Sequence, residues 1–266
     1  MHPDPLLYEG GAALHRREQA AAVFSVPGPY VSARAPHHAD PRHRGRSKGG
    51  LYGDMVEDLD RSVGAIAAAL EEHGLLDSTM LVVTSDNGGG YLSNVGGLRG
   101  RKGDTFEGGM RVPGIFHWPG VLPPGAERDG LAMQIDVLPT VLALIGVAAP
   151  DDRVIDGKDM LPFLKGHAPA VQDLVYYFSP YARGVAAVRD ERYKFLGRML
   201  KKQRDLFYPA PIPILSQFAE PMLTDVALDN ESHDLSLNHP ERSKRLEAAI
   251  VAFQASLRDN PRGWKP

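Results

Sequence analysis

Residues 81–90 read LVVTSDNGGG, an apolar run that stops at an acid, an amide and three glycines. A short continuous apolar run bounded by turn residues suits a strand buried on both faces of a parallel sheet. Upstream, Tyr52, Met55, Val56, Leu59, Val63, Ile66 and Leu70 recur at spacings of three and four, with acids between them. That periodicity predicts an amphipathic helix with one apolar face. Gly74 follows as its C-terminal cap. Helix, buried strand and glycine-rich loop in succession are the pattern of an α/β domain.

Downstream, RVPGIFHWPG (111–120) predicts a second strand closed by Pro119-Gly120. QIDVLPTVLALIG (134–146) predicts a helix with Asp136 as N-cap, Pro139 in its first turn and Gly146 at its end. A short helix is expected in DMLPFLKG (159–166). The texture then changes. LVYYFSP, GVAAVRDERYKFLG and MLTDVALDNES read as strands, with Asp190–Arg192 at a hairpin turn. A helix after Pro240, with Leu246, Ile250, Phe253 and Leu257 on its buried face, closes the chain. Strands followed by a helix suggest a smaller α+β unit. The expected division is residues 1–169, of which 1–50 are poorly patterned, and a small unit over 170–266. Within 1–50 only a short strand near Val23–Val26 is expected, ahead of a basic, histidine-rich loop.

Composition narrows the function. The 266 residues are 43% hydrophobic and 24% charged, an ordinary globular balance. A net charge of −3 gives no basic field for nucleic acid or an anionic membrane. With no cysteine, disulfides, thiolate zinc sites and a cysteine nucleophile are excluded within these residues. No apolar stretch reaches the roughly 20 residues that span a bilayer. The first residues lack the pattern of a signal peptide. A cytoplasmic location is expected if the chain start is genuine, and a periplasmic or secreted one if a leader precedes it. Its alanine, arginine and glycine usage suggests a bacterial source.

Ligands of open α/β sheets gather beyond the carboxyl ends of the strands, where Asp86 and Asn87 lie. A carboxylate and an amide carbonyl are hard oxygen donors suited to Ca²⁺ or Mg²⁺; the dipeptide by itself reads first as a plain turn, which both residues favour. The next segment, GGLRGRKGDTFEGGMRVPGIFHWPG (96–120), puts Arg99, Arg101 and Lys102 into a glycine-rich loop. Such a loop can hold an anion, and a cation beside a divalent metal would neutralise a sulfate or phosphate ester. Glu107, flanked by glycine and ahead of Arg111, is expected to fix the loop by pairing with an arginine or capping backbone donors.

Taken in order, YGDMVEDLDRSVG, SDNGG, LRGRKGDTFEGGMRVPGIFHWPG and QIDVLPTVLALIG resemble successive blocks of the type I sulfatases, the arylsulfatase-like branch of the alkaline phosphatase superfamily. The resemblance is dense over residues 52–166 and thinner through RDERYKFLG and TDVALDNESHDLSLNHPE. It implies part of an alkaline-phosphatase-like sandwich with a mainly parallel sheet, then a C-terminal subdomain of antiparallel sheet plus helix. It also implies that Asp86 and Asn87 ligate Ca²⁺ and that Lys102 contacts the sulfate of a sulfate ester. The element APHH resembles the family's histidine element, making His37 the contact to sulfate or leaving group, with His38 a weaker candidate. Metal-dependent phosphoesterases of the superfamily often carry Asp-His-Gly at this strand end; Asn87 in that place favours a hard ion and sulfate.

The resemblance also marks what these 266 residues do not contain. The family's remaining metal aspartates and its C-x-P-S-R or S-x-P-S-R motif, source of the formylglycine nucleophile, belong to a preceding half. SVPGPYVSAR offers Ser25 and Pro27, but Gly28 and Pro29 stand where Ser-Arg would follow. The expectation is a C-terminal half with weakly bound Ca²⁺, doubtful activity alone, and association through an exposed sheet edge.

Overall fold

A computed structural model describes residues 42, 44–90, 93–179, 184–197 and 221–262. Two compact units emerge, Met1–Leu81 with His117–Gly120, and Val82–Phe116 with Val121–Pro266. The strand expected near Val23–Val26, the Ser25 segment, His37 and His38 lie outside the described residues.

In the first unit, α1 runs Gly50–Glu72. It ends as the sequence predicts. Gly74 takes φ +65°, its N–H reaches Glu71 O at 2.9 Å, and the Leu75 N–H reaches Leu70 O at 2.8 Å. This paired closure satisfies carbonyls the helix leaves open. Met55 and Leu70 are buried, whereas Val56, placed on the same face by the periodicity, is exposed. The start has no side-chain cap. Instead buried Asp54 reaches back and accepts N–H bonds from Gly45 (2.6 Å), Arg46 (3.0 Å) and Ser47 (2.8 Å). Those donors, Ser47 and Gly45 foremost, hold its carboxyl below the usual aspartate range. A 3-10 turn at Leu76–Ser78 follows, and the Trp118 indole donates to Asp77 O at 2.9 Å.

β1, Leu81–Thr84, pairs with β2, Gly114–His117, in a two-stranded sheet. Full burial of β1 is not observed: Leu81, Val82 and Val83 are half-buried and Thr84 is exposed. The apolar run is what a covered strand needs, but only one neighbouring strand lies among the described residues. Ile115 on β2 is 57% exposed, and Ile135, Leu138, Ile145 and Val147 are also exposed.

Two short helices, α2 (Glu107–Met110) and α3 (Val137–Leu144), lie on either side of β2 in sequence; α4 (Leu161–Leu164) follows. Asp136 precedes α3 but does not cap it as expected. Fully buried, its carboxylate faces away from the helix and accepts from Met133 N–H (2.7 Å), Lys158 N–H (2.9 Å) and the Gln172 amide (2.5 Å). Thr140, one turn on, takes the Met160 N–H at 2.8 Å. One acid and one hydroxyl thus tie three loop segments to α3, and Met160, Phe163 and Val171 form the apolar cluster beneath.

The C-terminal sheet is antiparallel throughout, in the order β3 (Val175–Phe178), β4 (Val185–Arg189), β5 (Tyr193–Leu196), β6 (Met222–Asp225). Asp190–Arg192 form the β4–β5 turn, as the sequence indicates. Asp190 Oδ1 accepts the Arg192 and Tyr193 N–H groups at 3.1 and 2.7 Å. Strand alternation then sorts the side chains. Val188, Tyr193, Phe195 and Leu223 meet Leu246 and Ile250 of α5, Pro240–Asp259, which begins at Pro240 as predicted. Tyr176 stacks on Phe253 with centroids 3.9 Å apart. Burying each such large apolar side chain contributes about 1.5–3 kcal/mol. On the opposite face, Tyr177, Ala187, Leu196 and Met222 pack on Phe106 of the glycine-rich loop. The sheet is therefore covered by a helix on one side and by the candidate anion loop on the other.

Candidate functional site

The strand-end corner and the glycine-rich loop are interlocked through backbone. Gly88 N–H donates to Gly109 O at 2.9 Å, and Lys102 N–H donates to Gly89 O at 2.8 Å. A Cβ on Gly88 would overlap Gly108 O and sit 2.8 Å from Gly109 Cα, so only glycine permits this approach. Asp86, exposed, and Asn87, half-buried, thereby come into one loop cluster with exposed Lys102.

The three cations of the loop have different fates. Arg99 stacks on Phe106 at 4.3 Å and donates to Glu231 O. Arg101 donates from Nη1 to Gly90 O (2.8 Å) and Ser93 O (3.1 Å). Its own N–H is taken by buried Asp104 at 2.9 Å. Both guanidinium groups are engaged with backbone carbonyls, Glu231 O for Arg99 and Gly90 O and Ser93 O for Arg101. Lys102 makes no side-chain ion pair among the described residues and is the loop's cation presented to solvent. Loop composition alone does not distinguish the three cations and only the family resemblance singles out Lys102; in the structure Lys102 is exposed while Arg99 and Arg101 are half-buried and bonded to backbone carbonyls.

Glu107 fixes the loop by pairing with an arginine, as expected, and that arginine is Arg189, 82 residues away in sequence. Its Oε2 receives Arg189 Nη1 at 2.5 Å, while Oε1 receives Lys194 Nζ at 3.0 Å and the Tyr177 hydroxyl at 2.9 Å. Burial alone would raise the Glu107 carboxyl, but Lys194 and Arg189 outweigh it and bring it below the usual glutamate range. Glu231, 1% exposed, completes the cluster: Oε2 accepts the Glu107 backbone N–H at 2.7 Å and Oε1 lies 3.0 Å from Lys194 Nζ. Burial lifts the Glu231 carboxyl despite Lys194. The Tyr177 hydroxyl is pushed well up by burial and by Glu107 beside it.

Tyr177, Arg189, Lys194 and Glu231 were not anticipated as a group. A lysine between Tyr193 and Phe195 reads as the solvent side of a half-buried strand. It is fully buried because the 99–110 loop covers that face. The available signal was the hairpin around Asp190–Arg192, which sets Arg189 opposite Lys194 on one face of the sheet, together with an acid beside glycines.

Among the described residues no group of three or more His, Asp or Glu side chains is arranged to hold a metal ion. Asp86 and Asn87 supply two oxygen donors of a chemistry that fits Ca²⁺, against the six to eight it prefers.

A sulfatase family model matches residues 22–147, and a model for the C-terminal region of N-sulphoglucosamine sulphohydrolase matches residues 102–208. Steryl-sulfatase of Rattus norvegicus is 33% identical over 98% of this chain and 51% of its own length. Human arylsulfatase D is 44% identical over 50% of this chain and 24% of its own length. A sulfatase from Pseudoalteromonas sp. superposes with a TM-score of 0.69 at 26% identity, covering 84% of this chain and 46% of that one. The chain thus spans about half the length of the rat relative.

Proposed function

The chain belongs to the sulfatase family, and from that premise we propose that it builds one side of a sulfate-ester hydrolase site, with Asp86 and Asn87 as metal ligands and Lys102 as the sulfate contact. The observation that carries this is the separation of charges in the loop. Arg99 and Arg101 are spent on backbone, while Lys102 stands exposed on a segment hydrogen-bonded to the strand-end corner. An ammonium held there neutralises sulfate oxygens and the charge that develops on ester cleavage. Ca²⁺, when bound by Asp86 and Asn87, would polarise the same oxygens. His37 is the proposed further contact. The remaining ligands and the nucleophile would come from a partner or preceding segment. The exposed side chains of Ile115, Ile135 and Leu138 suit such a covering segment.

A second reading, an inert fragment, is favoured by the absence of any C-x-P-S-R or S-x-P-S-R motif from the 266 residues. Incubating the purified chain with an aryl sulfate and Ca²⁺ tests the division of labour. No turnover is expected, since no nucleophile is present to form a covalent intermediate. Turnover that Lys102→Ala abolishes would show a complete site and overturn the half-site proposal.

A further inference from the structure

We propose that Glu231 and Lys194 act as positioning residues, a clamp from the C-terminal sheet that holds the glycine-rich loop in the geometry that presents Lys102; this rests on Lys102 being the sulfate contact. Glu231 grips the loop at two places. Its backbone carbonyl takes the Arg99 guanidinium, and its carboxylate takes the Glu107 N–H at 2.7 Å. Lys102 lies between these two anchor points. Lys194 on β5 joins both carboxylates, at 3.0 Å from Glu107 Oε1 and 3.0 Å from Glu231 Oε1.

The cluster is balanced, with two carboxylates against Lys194 and Arg189, and Lys194 Nζ also stands 4.1 Å from the Tyr177 ring centre. Glu231 adopts φ +51°, a left-handed conformation that costs a non-glycine residue energy and persists where surrounding contacts enforce it. That backbone turn is what lets one residue offer its carbonyl to Arg99 and its side chain to Glu107. Thr105 and Phe106, inside the gripped segment, are buried. The loop between the anchors is also internally bonded: Gly108 N–H reaches Arg99 O at 2.7 Å and Asp104 N–H reaches Arg101 O at 2.8 Å. Releasing the clamp therefore frees a segment with Lys102 on it, while the sheet keeps its own ladder and the α5 core.

Amide hydrogen exchange on the full chain, with and without inorganic sulfate and Ca²⁺, tests this. Lys194→Met is expected to speed exchange at Lys102, Glu107 and Gly108 by about tenfold or more, with less than about threefold change at Gly197 and Ser243, which report the sheet and α5. Sulfate-dependent protection of Lys102 is expected to fall in parallel. Lys194→Arg, which keeps the charge, restores most of it, and Glu231→Leu, which removes the side-chain acceptor of the Glu107 N–H, reproduces the loop effect should Lys194→Met fold poorly. Equal acceleration of loop and sheet, or an unchanged loop, overturns the clamp. A wild-type chain whose Lys102 ignores sulfate while the exchange pattern holds removes the sulfate assignment of Lys102, and with it the purpose of the clamp, but not its grip.

Discussion

Replacing Gly88 by alanine probes the contact on which the site depends. The new Cβ would collide with Gly108 O and lie 2.8 Å from Gly109 Cα, and both obstacles are backbone with no rotamer to yield. Overpacking of this kind costs about 1–3 kcal/mol. Separating the strands of loop also strains the Gly88 N–H bond to Gly109 O, 2.9 Å long, worth about 1 kcal/mol. The expected loss is about 2–4 kcal/mol, a drop of about 1–2 M in the urea midpoint at a slope near 2 kcal/mol/M. Gly114→Ala is the matched control, because its Cβ meets only the Phe116 ring at 3.7 Å. It should stay within about 0.5 kcal/mol of wild type. Urea titration followed by circular dichroism reads both. Gly88→Ala as stable as Gly114→Ala would refute the close approach of the two loops.

Three further outcomes follow from named contacts. Asp136→Ala strips the acceptor from Met133, Lys158 and Gln172 in a fully buried position and should cost about 3–5 kcal/mol in the same titration. Asp190 is raised by burial but lowered further by the Tyr193 and Arg192 N–H groups and by Arg242 and Arg245, so its folded value lies below the unfolded one. Its stabilisation is complete above the unfolded aspartate value of about 4 and is lost as pH falls through the folded value, so Asp190→Asn should flatten the acid limb of stability measured from pH 5 downward. Calcium titration by calorimetry should show affinity no tighter than about 10⁻⁴ M, removed by Asp86→Ala, since two donors leave most of the coordination sphere to others.

Local signals in this chain were legible where backbone chemistry is local. Gly74 ends α1, Pro240 starts α5, and Asp190–Arg192 turn the β4–β5 hairpin, each because one residue type answers a local dihedral or hydrogen-bond demand. Asp136 was misread because an acid before a helix suits a cap, whereas its partners Lys158 and Gln172 are remote in sequence. Burial of β1 was overestimated because an apolar run reports what a strand needs and not what covers it. The same limit hid Lys194: its partners Glu107 and Glu231 come from segments that only the folded sheet brings together. The proposed corner, Asp86, Asn87 and Lys102, was put forward from sequence blocks. That Lys102 is exposed while Arg99 and Arg101 are half-buried and bonded to backbone carbonyls required the structure.

The most direct measurement is a titration of the isotopically labelled chain with inorganic sulfate in the presence of Ca²⁺, followed by amide shifts. Sulfate-dependent changes should concentrate at Lys102, Gly103 and Asp86–Gly89. They should vanish in Lys102→Ala and survive in Lys244→Ala, whose ammonium is paired with Glu241 on α5. Changes that persist in Lys102→Ala, or that spread over surface lysines alike, would contradict a sulfate site at this corner.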